Sequence, residues 1–230
     1  MLALVSRSRC AWLGWGLAGG WLPMAACQAA GGHFAVDDAA VLEQGQCQVE
    51  VWREQSPALR GWHAGPACRV GFLELGLNLD QHEGPGQPKR RMLGPQLKWA
   101  HDWHPMWSVG LAWSASRQSP VETGTPHFQG QQWLGLLTWR PDPMWQVHFN
   151  QGAARAPGGP LVARTGLAVE TQWHPRWSTT AEWFDDRLAP LVRVGLRHQF
   201  DAHWSLDLGR AQIRGEGTRW TVGLNGVWDR

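Results

Sequence analysis

The chain has 230 residues, of which 43% are hydrophobic and 17% charged, and its formal charge is +2. That length allows one sizeable domain or one closed barrel, and so weak a charge excludes a basic field built for nucleic acid. The negative mean hydropathy excludes a bundle of membrane-spanning helices, and no phosphate loop, dinucleotide-binding glycine turn or HExxH helix can be read.

Residues 1–29 read as a secretory signal. Arg7 and Arg9 form its basic start, Cys10 to Leu22 is an uncharged apolar run, and Pro23 ends it. Small residues then allow cleavage after Ala29, and Met24-Ala25-Ala26-Cys27 offers a rival lipoprotein cut before Cys27. Loss of Arg7 and Arg9 leaves the mature chain near neutral. Residues 30–45 then form an N-terminal segment, either periplasmic or a plug. No later run is apolar for the ~20 residues a spanning helix needs.

From residue 46 onward, alternation replaces helical spacing. In Trp107-Ser-Val-Gly-Leu-Ala-Trp113 the odd positions are apolar and the even ones small or polar. Val192 to Phe200 puts Arg193 and Arg197 on one face and Val192, Val194 and Leu196 on the other. A strand sends successive side chains to opposite faces, so one face of each segment suits lipid and the other a polar lumen. About twelve strands follow, over 46–55, 60–69, 72–81, 92–102, 106–116, 131–140, 144–153, 162–173, 177–185, 191–200, 204–212 and 218–228. Every second connection is short, as in Trp103-His-Pro-Met106 and Arg140-Pro-Asp-Pro143. The others are mostly longer and rich in Gly, Pro and charge. The pattern predicts an all-β, antiparallel transmembrane barrel with short periplasmic turns and longer extracellular loops, placed in the bacterial outer membrane.

Tryptophan marks the same organisation. The sequence has 18 Trp and no Tyr. Trp103 and Trp107, Trp139 and Trp145, Trp173 and Trp177, and Phe200 and Trp204 bracket short turns, and Trp228 ends the last strand. Such rings prefer the boundary between lipid and water, so these positions predict a periplasmic girdle. Trp113, Trp133, Trp183 and Trp220 lie near the long loops and suit a second one. Cys47 and Cys68 sit equally far from a turn near Pro57-Ala58. That places them opposite each other on one face, where an oxidising periplasm permits a disulfide.

The segment His33 to Glu50 contains an Asp37-Asp38 pair, then Gly45, then a first strand carrying Glu50. This pattern resembles the opening of many proteobacterial outer-membrane barrels, including the broad group named for transport linked to aromatic-compound degradation. The resemblance covers about twenty residues, and it implies an outer-membrane barrel with a small-molecule transport role. The last strand is similar to the recognition strand of such proteins at Thr221, Gly223, Leu224 and Trp228. It departs from the pattern at Gly226 and at Asp229-Arg230. The resemblance implies outer-membrane lipids and the barrel-assembly machinery as partners.

With the apolar faces outward, strand parity turns Glu50, Glu74, Asp80, Lys98, Glu170, Glu182, Arg193, Arg197 and Asp207 into the lumen, with Glu54 and Arg69. Gly76, Gly110, Gly166, Gly195 and Gly223 leave room beside them. Twelve strands lie between filled eight-stranded and open sixteen-stranded barrels, so a narrow diffusion path for small solutes is the leading expectation. A non-conducting structural or surface-interaction barrel is the alternative. A lipid acylhydrolase ranks third, with His63, His148 and His198 as bases and Ser114, Ser178 and Ser205 as nucleophiles, although no pair has a recognisable spacing. No catalytic residue, cofactor or metal is assigned, and nucleic acid is not expected as a partner.

Overall fold

A computed structural model describes residues 33–121 and 124–230. The signal read over residues 1–29, with either cleavage site, lies outside the described residues. Twelve strands follow the N-terminal segment: β1 (Gln46–Gln55), β2 (Arg60–Val70), β3 (Leu73–Glu83), β4 (Arg90–His104), β5 (Trp107–Pro120), β6 (His127–Asp142), β7 (Trp145–Arg155), β8 (Leu161–His174), β9 (Trp177–Asp185), β10 (Leu191–Gln199), β11 (Trp204–Ile213) and β12 (Gly217–Asp229). Each pairs antiparallel with its sequence neighbour. β1 closes the barrel on β12, from Gln46 opposite Asp229 to Gln55 opposite Trp220. Closure leaves no unpaired edge, which the hydrocarbon of a bilayer demands.

The outer face is predominantly apolar through the middle of the barrel, with the hydrogen-bonded Gln151 and Thr165 as a polar exception. Val51, Leu75, Leu77, Leu79, Leu97, Leu111, Phe149, Leu167, Val192, Val194, Leu208, Val222 and Leu224 all point outward and are exposed. A water-soluble protein does not leave a belt of this size bare, whereas lipid covers it without cost. Among the described residues no helix is long and apolar enough to cross a membrane; the strands make the crossing.

Both ends of the barrel domain lie at the rim with the short turns. Gly71 there adopts a positive φ of 63°, which a residue with a Cβ rarely does. Trp103, Trp139, Trp145, Trp173, Trp204 and Trp228 stand exposed around this rim, and Trp107 and Trp177 are half-buried. Trp107 stacks on Trp139 with ring centroids 5.7 Å apart, and Trp173 on Trp177 at 6.0 Å. At the opposite rim Trp133, Trp183 and Trp220 are exposed, and Arg210 lies over the Trp220 ring at 5.7 Å.

The strands differ from their expected spans chiefly in β4, β5 and β6, which have 15, 14 and 16 residues. They outrun the ~9–11 residues that cross a bilayer and rise above the long-loop rim. Their upper parts, Gln118-Ser-Pro120 and His127-Phe-Gln-Gly130, carry no apolar alternation to mark them. The register shifts between β5 and β6 there, beside Gly130. That glycine has a φ of 151°, and a Cβ on it would lie 2.6 Å from the Arg155 carbonyl.

Cys47 and Cys68 are cross-strand partners and are bonded as a disulfide, with Cα atoms 4.0 Å apart. The bond closes a chain separation of 21 residues, for which chain entropy gives about 3 kcal/mol. Iodoacetamide should therefore leave both thiols unlabelled in denatured, unreduced protein. Reduction should lower the denaturant midpoint of the barrel, and quantitative labelling without reductant would refute the pairing.

Candidate functional site in the lumen

Residues 33–45 turn inward from the short-turn rim and cross the interior as a strap. The segment has no strand partner, so wall side chains satisfy its backbone. The N–H of Leu42 donates to Glu74 Oε2 at 3.0 Å, and the Leu42 carbonyl accepts from Arg69 Nη1 at 2.7 Å. Ala39 N–H donates to Thr138 Oγ1 at 2.8 Å, and Asp37 N–H to Asn150 Oδ1 at 2.7 Å. Asn150 returns a bond to the Asp37 carbonyl at 2.7 Å. At the far wall, the N–H groups of Ala35 and Val36 donate to Glu182 Oε2 at 3.0 and 2.9 Å.

Charge fixes the middle of the strap. The buried Lys98 ammonium lies 2.8 Å from both Asp37 and Asp38. The apolar strap residues seat in two small clusters, Val36 with Ala168 and Phe184, and Ala39 with Leu134 and Leu136. Close approach depends on missing side chains in the wall. A Cβ on Gly166 would lie 2.7 Å from Val36 Cγ2, and one on Gly195 would run into the Phe34 ring.

All nine charged residues read as lumen-facing point inward, and eight are buried, with Asp80 half-buried. They do not line a single open path. Glu182 pairs with Arg193 at 3.3 Å, and Arg197 with Asp207 at 2.7 Å. Lys98 and Glu74 hold the strap, and Asp80 accepts from His63 at 2.7 Å. Glu170 lies 3.9 Å from His148. Thr138, His148 and Asn150 belong to the same wall, all buried and with the parity of Glu170. Attention to formal charge passes over them, although the alternation in Trp145-Gln-Val-His-Phe149 already turns His148 inward.

A polar cavity of about 290 Å3 remains beside the strap, against β1–β6. Asp37, Glu50, Glu74 and Asp80 line it, with Lys98 as the basic residue. Arg193 and Arg197, the residues singled out by the alternation in β10, are not among its lining. They sit across the strap in ion pairs. The histidines and serines considered for acyl hydrolysis have other neighbours: His148 bonds Thr138 at 3.0 Å, Ser205 accepts from Asn225 at 3.2 Å, and His198 packs on Trp177 outside the lumen.

His33 ends the described strap, with Nδ1 3.6 Å from Asp207. Burial pushes its imidazole down from 6.5 to about 3, an effect that Asp207 opposes and that Arg193 and Arg197 reinforce. A released strap would bind a proton on His33 near pH 6.5, while the docked one resists it. Docking is therefore at full strength above 6.5 and weakens as pH falls from there toward 3. Near pH 5 the loss is about 2 kcal/mol. Strap amide exchange, corrected for its intrinsic rate, should rise on acidification from about pH 7.5 to 5, and His33→Gln should flatten that rise. An equal rise in the variant would remove His33 as the cause.

A family model described as Uncharacterised conserved protein UCP029691 matches residues 21–227. No curated protein matches the sequence. Among solved structures, the KdgM porin superposes with a TM-score of 0.63 at 9% identity, over 78% of this chain and 98% of that one. The NanC porin gives 0.54 at 9% identity, over 78% and 98%. The COG4313 outer membrane channel from Pseudomonas putida F1 gives 0.52 at 12% identity, over 83% and 98%. At these identities the likeness is one of fold: a closed barrel of the outer-membrane type.

Proposed function

The chain belongs to the family described as Uncharacterised conserved protein UCP029691, and from its lumen we propose that it is a narrow outer-membrane diffusion channel for small polar solutes, with the strap setting its bore. The observation that carries this reading is the cavity of about 290 Å3 left beside the strap. A scaffold that needed only a filled interior would gain nothing from leaving polar space there. The lining acids outnumber Lys98, so cations are favoured over anions of equal size. The porins and the channel it resembles in fold support the same reading. Insertion would proceed through the barrel-assembly machinery, with β12 presenting Thr221, Gly223, Leu224 and Trp228.

Planar bilayers test the proposal. The purified, folded barrel should give small discrete conductance steps that favour cations. Removing residues 33–42 should enlarge the steps several-fold, and Glu50→Gln should reduce the cation preference. A folded barrel that stays silent both with and without the strap would overturn the channel reading in favour of a structural scaffold.

A further inference from the structure

Near the long-loop rim, three neighbouring strands bring three metal-binding side chains to one point in the lumen. Glu54 comes from β1, His63 from β2 and His82 from β3, and one ligand atom from each lies within 4.8 Å of the other two. Glu54 Oε1 is 3.3 Å from His63 Nε2 and 3.9 Å from His82 Nδ1. Both of those ring nitrogens are buried and lack a hydrogen-bond partner. Buried ring nitrogens without a well-formed hydrogen bond call for an explanation, and an ion held between them and the carboxylate supplies one.

The surroundings orient each ligand. His63 bonds Asp80 through Nδ1 at 2.7 Å, which places the proton on Nδ1 and aims the Nε2 lone pair at the cluster. This is the carboxylate–histidine relay found behind metal-binding imidazoles. Trp52 stacks on the His63 ring at 4.6 Å with an interplanar angle of 3°, fixing its plane. The second oxygen of Glu54 accepts from Arg219 at 3.0 Å, and Arg219 is itself held by Glu216. Oε1 is thus the oxygen presented to the cluster. Gly61 keeps the centre open: a Cβ there would lie 2.9 Å from His63 Nε2 and from His82 Nδ1.

We propose that Glu54, His63 and His82 form a binding site for a borderline divalent transition metal, zinc(II) foremost, at the outward mouth of the barrel. Tetrahedral zinc with bonds of about 2.0–2.1 Å separates its ligand atoms by roughly 3.3–3.5 Å. The 3.3 Å between Glu54 and His63 matches that separation, and His82, 3.9 Å from Glu54, has to move inward for the set to close on the ion. Two imidazoles and one carboxylate leave a fourth position for water or a solute. Oxygen-seeking magnesium and calcium fit this donor set poorly. The site stands whether or not the barrel conducts.

The test uses the full-length folded barrel, stripped with chelator and titrated with zinc by calorimetry. One zinc per chain should bind in the micromolar range or tighter. His82→Ala should weaken binding more than 100-fold, and Asp80→Asn by about 10–100-fold through loss of the relay. Cobalt(II) in the unaltered protein should give the intense visible bands of a tetrahedral complex, a readout that needs no variant to fold. Gly61→Ala should block binding while the barrel keeps its heat-modifiable migration. No binding by the folded barrel, or binding that survives both His63→Ala and His82→Ala, would overturn the proposal.

Discussion

Replacing Lys98 with Met should release the N-terminal strap while leaving the barrel wall intact. The ammonium is buried and lies 2.8 Å from both Asp37 and Asp38. Glu74 is buried as well and binds the strap at Leu42. Without the lysine, these carboxylates share a low-dielectric interior that has lost its central base. Removing one partner of a buried ion pair costs about 3–5 kcal/mol, comparable with all that so short a segment gains by docking. The twelve strands are held by their own ladders and do not depend on the lysine. Hydrogen exchange should show this directly. The amides of Ala35, Val36, Ala39 and Leu42, which donate to wall side chains, should lose protection in Lys98→Met, while those in β5 and β6 keep theirs. Conductance should rise toward that of the strap deletion. Adding Asp37→Asn and Asp38→Asn should restore part of the protection, since neutral amides tolerate the site. Unchanged exchange at those four amides would show that the ion pairs do not hold the strap.

The wall was legible because every residue in it answers a binary question. A side chain faces lipid or lumen, so the sequence alternates, and alternation gave the twelve strands with most boundaries within two residues. The disulfide was legible for the same reason: a hairpin fixes which residues face each other, and Cys47 and Cys68 are equally far from its turn. The girdles followed from chemistry, because an indole beside a turn has the rim as its place.

The strap and the metal cluster obey no such local rule. Ala39 meets Thr138 and Val36 meets Glu182 across 99 and 146 residues of sequence, through single hydrogen bonds that leave no periodic trace. The Asp37-Asp38 pair, noticed only as part of a resemblance, acquires a physical role once Lys98 is seen between the two. Glu54, His63 and His82 lack the tight spacing of a sequence metal motif, because the barrel register, not a helix turn, brings them together. Arg193 and Arg197 illustrate the opposite hazard. Parity turns them correctly inward, but whether an inward charge lines a path or closes on a partner depends on which strand faces it.

Arg197 therefore belongs to stability, and the second large effect is expected at its partner. Its Nε and Nη2 donate to the two oxygens of Asp207 at 2.7 and 2.9 Å, a bidentate pair that ties β10 to β11. Asn225 donates to the same carboxylate from β12, so one buried side chain joins three strands. Asp207→Ala takes from the guanidinium its bidentate carboxylate, for which the longer-range attraction of Glu50 and Glu170 is a weak substitute, and it also removes one of the two acceptors of Asn225. The expected loss is about 3–5 kcal/mol, read as a drop in the urea midpoint of the folded barrel in lipid or detergent. The decisive comparison is with Arg197→Met/Asp207→Leu, which removes both charges and puts apolar side chains in their place. Buried pairs replaced in this way commonly cost little, because neither partner is left exposed to a low dielectric alone. The double variant should therefore unfold at a higher urea concentration than Asp207→Ala. Should the two unfold together, the loss would come from packing around Asn225 and not from a stranded charge, and the ion pair would have no part in holding the seam.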